Sequence, residues 1–188
     1  MRQVSERLGW AGGPGTIPFV EVRAVRPEEF DELGRATVEA YEALPGEPLS
    51  AAYLEELADV ASRAAEAEVL VALVDGRLVG GVTYVRPPGR YAEFGPGEAG
   101  IRHLAVVPAA RGHGVGAALV AACLERARAD GFPRICLFTT PSMATAHRLY
   151  ERLGFLRRPE RDWTLPDIGL HLLSYVLELE PPAPDHSG

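Results

Sequence analysis

The sequence predicts a mixed α/β fold of α+β character, not a regular strand–helix alternation. Three observations carry that reading. In "VLVALVDGRLVGGVTYV", two apolar runs flank Asp75-Gly76, a favoured dipeptide for a two-residue hairpin. The apolar run "EAGIRHLAVV" leads through the glycine-rich "RGHGVG" (Arg111 to Gly116) into the helical pattern "AALVAACLERARA". Two helical patterns precede the hairpin, and a strand, a helix and a closing strand follow the loop.

The elements justify themselves in order. "FVEVRAV" (Phe19 to Val25) alternates and reads as the first strand. Pro27 with Glu28 and Glu29 opens a helix that carries Phe30, Leu33, Thr37, Ala40 and Tyr41 at helical spacing. "LSAAYLEELADVASRAAEAE" reads as one second helix with Ser50 as its N-cap. The hairpin follows, then the Pro/Gly loop "RPPGRYAEFGPG". "EAGIRHLAVV" is apolar on both faces toward its end, which suits a central strand. The helix after the glycines presents Val115, Ala118, Leu119, Ala122 and Cys123 on one face and ends near Asp130-Gly131. "RICLFTT" is a buried strand. "SMATAHRLYERLGF" is a helix with Ala146, Leu149, Tyr150 and Leu153 on one face and Gly154 as its stop. "LHLLSYVLEL" closes the sheet after a polar stretch.

Bulk properties bound the function. With 188 residues and 47% hydrophobic content, the chain suits one domain over 19–180, with a flexible lead-in at 1–18 and a disordered tail at 181–188. Mean hydropathy is −0.01, and no apolar run approaches the roughly 18 residues of a membrane span. The N-terminus shows no secretion signal, so a cytoplasmic location is expected. The two cysteines, Cys123 and Cys136, fall in predicted elements and read as buried thiols with no metal pattern. A net charge of −7 argues against nucleic acid as a general partner. All 19 basic residues are arginine, which reads as coding bias.

"RGHGVG" has three readings on its residues alone. It can be a plain strand-to-helix turn. It can be an anion site, because the first N–H groups of a helix lack partners and the helix dipole is positive there. Gly112, Gly114 and Ala117 also satisfy the dinucleotide pattern G-x-G-x-x-A. Against that last reading, "PAAR" separates the loop from its strand, and no acid stands in "RICLFTT" to take a ribose. A Walker loop needs lysine, which the chain lacks.

"LAVVPAARGHGVGAALV" resembles the acyl-CoA signature R/Q-x-x-G-x-G/A of the GCN5-related N-acetyltransferase (GNAT) superfamily, with Arg111, Gly114 and Gly116 as its core. "AHRLYERLGF" resembles the family's second signature, a helical tyrosine followed by Leu-Gly-Phe. The resemblance covers roughly residues 19–180. It implies a mostly antiparallel sheet of six to seven strands, about four helices, and a splay at the acyl-CoA site. It also implies acetyl-CoA as cosubstrate, no metal, and direct transfer of the acetyl group to an amine.

The resemblance further implies roles for named residues. Backbone N–H groups of Gly112, His113, Gly114, Val115, Gly116 and Ala117 would hold the pyrophosphate, with Arg111 nearby and the His113 side chain in solvent. The backbone of Leu104, Ala105 and Val106 would pair with pantetheine as an added strand and polarise the thioester carbonyl. Tyr150 would protonate the leaving thiolate. The base stays open between Glu98 and His103, with Glu93 as a further candidate. The family often places a glutamate nearer the centre of this strand, where this chain has Gly100. Thr139, Ser142 or a backbone group would replace the asparagine that often precedes the second signature helix, and Ala146 and His147 would flank the cofactor. The acceptor, a small-molecule amine or a protein N-terminus, would meet the acidic stretches "EEFDEL", "EALPGE" and "YLEELAD". A homodimer through the closing strands is a family-level expectation.

Overall fold

The computed structural model describes residues 19–44, 46, 48–87, 93–165 and 169–179. The expected lead-in, the expected tail and the centre of the Pro/Gly loop lie outside the described residues. The chain divides into two compact units: Met1–Tyr84 with Arg102–Val120, and Val85–Ile101 with Ala121–Gly188.

In the first unit, β1 (Val20–Ala24) pairs antiparallel with β2 (Glu68–Val74), and β2 with β3 (Arg77–Val85). The β2–β3 turn has φ of 50° at Asp75 and 73° at Gly76. Positive φ at both central residues matches the right-handed twist of the flanking strands. β2 is buried on both faces from Val69 to Val74. Helix α1 (Phe30–Glu42) buries Leu33, Ala36, Thr37 and Ala40. Leu33, Val60, Val69, Val71 and Leu73 form one core cluster. Before α1, the Glu29 carboxylate accepts from Arg23 at 2.6 Å and from the Arg26 N–H at 2.8 Å. The Arg23 guanidinium holds its pKa down at about 2.

The expected second helix is two helices. Ser50 caps α2 (Ala51–Ala58) as predicted, its side chain accepting from the Tyr53 N–H at 3.2 Å. Asp59 then leaves the helical region, at φ −77° and ψ 75°, and caps α3 (Val60–Glu66) through the Ser62 N–H at 3.0 Å. Aspartate competes for backbone donors and so favours such a break. With no Gly or Pro in the stretch, the periodicity alone reads through it.

In the second unit, β5 (Arg134–Thr139) pairs parallel with the first residues of β4 (Glu98–Val106) and antiparallel with β8 (Leu170–Glu178). Two short strands, β6 (Leu156–Arg157) and β7 (Trp163–Leu165), also pair antiparallel with β8. They arise from the polar stretch that precedes the closing strand. Helix α4 (Val115–Ala129) follows the glycine loop, and α5 (Ala144–Arg152) follows β5. Helix α5 ends as predicted: Gly154 has φ 90° and the Phe155 N–H donates back to the Tyr150 carbonyl at 3.0 Å. The hydrogen-bonded strand order is β1-β2-β3-β4-β5-β8-β6, with β7 on β8. The described residues thus form eight strands, mostly antiparallel, and five α-helices. The expectation was six to seven strands and about four helices.

No described helix is long and apolar enough to cross a membrane. No described group of His, Cys, Asp and Glu is arranged to hold a metal ion.

Candidate active site

Strand β4 carries five of the candidates: Glu98, His103, Leu104, Ala105 and Val106. Its ladder with β5 runs from Glu98↔Arg134 to Ile101↔Leu137. Past that ladder lies His103, at φ 50° inside the strand. A left-handed non-glycine residue in a strand stores backbone strain and re-aims the peptides beside it. Leu104, Ala105 and Val106 follow it directly. Beside them Gly80 permits close approach: a Cβ there would lie 3.2 Å from the Val106 Cα. The Val107 N–H donates to the Val79 carbonyl at 3.0 Å.

A 3₁₀ turn, Pro108–Ala110, carries the chain to the glycine loop. Gly112 and Gly114 both have φ 82°. A Cβ at either position would meet nothing within 4 Å, so the glycines are needed for their backbone angle and not for space. The first bond of α4 runs from the Ala118 N–H to the Gly114 carbonyl at 3.0 Å. The N–H groups of Val115, Gly116 and Ala117 precede it and have no helical acceptor. The resulting cradle suits a diphosphate: an open loop, left-handed glycines and the positive end of a fifteen-residue helix. His113 is half-buried, whereas its side chain was expected in solvent.

The Arg111 side chain goes elsewhere. Its Nε donates to the Val106 carbonyl at 3.1 Å and its Nη2 to the Ala40 carbonyl at 2.6 Å.

Glu98 is locked. Arg161 Nη1 and Nη2 donate to its two carboxylate oxygens at 2.8 and 2.7 Å, and the Gly95 N–H donates at 2.9 Å. Arg134 stands 3.8 Å away. Burial alone would raise the Glu98 pKa, but the Arg161 and Gly95 hydrogen bonds outweigh it and hold the group below its ordinary value. Arg161 also donates to the Cys136 Sγ at 3.3 Å. Burial and the Glu98 charge push that thiol up to about 11, so it stays a thiol.

Gly100 stands where the family resemblance placed a glutamate. A Cβ at 100 would collide with the Phe94 ring. The ring fills that space and continues an aromatic row through Phe138, at 5.9 Å, to Trp163, a further 6.1 Å on.

His103 has a 3% exposed side chain, and its Nε2 lies 3.8 Å from the Glu56 carboxylate. Tyr150 is buried and packs at 5.9 Å against both Phe155 and Tyr175. Burial raises the Tyr150 pKa, so the phenol stays protonated at neutral pH. The Thr139 hydroxyl contacts the Met143 sulfur at 3.4 Å. His147 Nε2 lies 2.9 Å from the Thr140 carbonyl, and its ring stacks on Tyr175 at 5.6 Å. Thr139 and His147 are therefore both engaged by neighbouring protein groups. Ala146 is half-buried.

Sequence reading did not single out Arg161 or Phe94, and it took Glu56 only as part of the acidic stretch "YLEELAD". Arg161 meets Glu98 across 63 positions, and nothing in the local pattern marks Arg161 as its partner.

A family model described as "Acetyltransferase (GNAT) family" matches residues 31–155. A mycothiol acetyltransferase from Cellulomonas flavigena is 33% identical over 155 residues, covering 78% of this chain and 43% of its own length. The chain thus spans less than half the length of that relative. Among solved structures, a GNAT-family acetyltransferase from Staphylococcus aureus Mu50 superposes with a TM-score of 0.69 at 13% identity, covering 86% of this chain and all of its own. The PaiA N-acetyltransferase from Thermoplasma acidophilum, solved in complex with coenzyme A, gives 0.63 at 15% identity over 83% of this chain and 98% of its own.

Proposed function

Because the chain belongs to the acetyltransferase (GNAT) family, we propose that it transfers an acetyl group from acetyl-CoA to a primary amine in the cytoplasm. The observation that carries this is the open glycine cradle at the start of α4, immediately downstream of a strand with a left-handed kink at His103.

In this reading the N–H groups from Gly112 to Ala117 bind the diphosphate of acetyl-CoA. The backbone of Leu104, Ala105 and Val106 aligns the pantetheine amides and stabilises charge on the thioester carbonyl oxygen. The neutral amine forms the new C–N bond as the C–S bond breaks. The nitrogen gives up its proton to a base, and the departing thiolate takes one from Tyr150. His103 is the better of the two β4 bases. Its Nε2 lies 3.8 Å from the Glu56 carboxylate, which can orient the imidazole and stabilise its cationic form. Glu98 is neutralised by Arg161 and is a weaker base than a free carboxylate, so we assign it a structural role.

The acceptor is a small-molecule amine or a protein N-terminus. The name carried by the curated relatives puts mycothiol-related amines first on the list to test. A second reading, an acyl-CoA-binding module without catalysis, draws on two facts: the carboxylate at 98 is locked and the space beside 100 is filled by Phe94.

Calorimetric titration with acetyl-CoA, with CoA and NADH as comparisons, tests the binding half. Micromolar binding of acetyl-CoA and no response to NADH is expected; no binding of either CoA species sinks the reading. Release of CoA across an amine panel tests the chemistry. Tyr150→Phe is expected to lower kcat by about ten- to a hundredfold with acetyl-CoA affinity unchanged. An unchanged kcat at every pH removes Tyr150 from the reaction. Tight acetyl-CoA binding with no acylation of any amine favours the binding module.

A further inference from the structure

Arg111 belongs to the sequence signature, yet its guanidinium is engaged by protein carbonyls. Helix α1 ends irregularly. The Ala43 N–H reaches the Glu39 carbonyl at 3.2 Å, as a helix requires, but the Leu44 N–H turns to the Tyr41 carbonyl at 3.1 Å. The Ala40 carbonyl thereby loses the partner that a continued helix would supply. Arg111 Nη2 takes it at 2.6 Å. A cation on the last carbonyls of a helix is favourable, both as a charge-assisted hydrogen bond and against the dipole. The same side chain folds back through Nε onto Val106, the last residue of β4, at 3.1 Å. Two ends of secondary structure, 66 positions apart by number (106 − 40), are held by one planar fork. Gly112, Gly114 and the start of α4 follow Arg111 directly.

We propose that Arg111 is a positioning residue. It straps the C-terminal end of α1 to the end of β4 and so fixes where the glycine loop begins. It does not act as a charge on the phosphates. The proposal rests on the reading that the loop binds acetyl-CoA. It adds that an acceptor-side helix and the cofactor loop share one fastening. A lysine cannot replace it fully, because a point charge on a flexible stem lacks the two-pronged geometry.

The test compares R111A and R111K with the wild type in two measurements. One is amide hydrogen exchange of the unliganded protein at 41–44 and at 118–120, the first hydrogen-bonded amides after the glycine loop. The other is acetyl-CoA affinity by calorimetry at low and high salt. In R111A, exchange is expected to quicken about tenfold in both segments together, and acetyl-CoA to bind about tenfold more weakly by the same factor at both salt levels. R111K is expected to recover only part of each. Unchanged exchange in both segments overturns the strap. So does an affinity loss that shrinks at high salt and is fully restored by R111K, since salt screens a direct charge on the phosphates. If R111A does not fold, R111K gives the same readings. A wild type that fails to bind acetyl-CoA overturns the loop's role, while the exchange data still decide the fastening.

Discussion

The two ends of β4 solve opposite problems. At its start, Glu98 is a buried anion with every strong demand met: two guanidinium donors, one backbone donor and a second arginine nearby. At its far end, His103 holds a left-handed backbone, and the loop beyond leads to helical N–H groups that no helical carbonyl can satisfy. Internal satisfaction marks a structural site. Strain together with exposed donors marks a site built for something else to occupy. Charge and burial alone would have ranked the two ends the other way round.

The largest effect expected from this contrast is at the glycine loop. Gly114→Asp puts a left-handed non-glycine residue and a negative charge in the cradle. Because nothing lies within 4 Å of the added Cβ, the fold is expected to survive. Acetyl-CoA affinity is expected to fall by at least about a hundredfold, read by calorimetry, from charge repulsion and backbone strain together. Retained affinity in a folded variant would mean that the cradle holds no anion.

The next largest is at the opposite end. Glu98→Gln removes the anion and leaves the half-buried Arg161 without its partner, at a cost of about 2 kcal/mol in unfolding free energy, below the loss expected for a fully buried pair. The pH dependence has a definite sign. The folded Glu98 pKa lies below its ordinary 4.5. Its contribution is therefore complete above that value and is lost as pH falls through the folded one. Thermal scans from neutral to acid pH are expected to show a smaller acid loss in the variant than in the wild type. Acetyl-CoA affinity should hold. If stability is untouched and turnover collapses, Glu98 is the base after all.

Much of this was legible in the residues. The Asp75-Gly76 hairpin, the Ser50 cap and the Gly154 stop are local signals, fixed by backbone angles that few residues adopt, and each appears where the pattern put it. The glycine cradle was legible for the same reason. Glu98 was visible as a carboxylate on β4, but its state depends on Arg161, brought to it by tertiary packing. The left-handed angle at His103 was equally hidden, since "IRHLAVV" reads as an unbroken strand. Gly100 showed only as a departure from a resemblance until the Phe94 ring supplied its physical reason.

The smallest expected effect tests the strain directly. His103→Ala and His103→Gly both delete the imidazole and its approach to Glu56. Only glycine relaxes φ 50° without a Cβ penalty. The glycine variant should therefore be more stable than the alanine variant by about 1 kcal/mol, or about 2–4 °C in Tm for a chain of this size. Both should bind acetyl-CoA within about threefold of the wild type, and both should lose the turnover that depends on a base at 103. Equal stability of the two variants would show that the backbone there is under no strain. Full turnover in the glycine variant would reduce His103 to the residue that shapes the strand, and move the proton to another group.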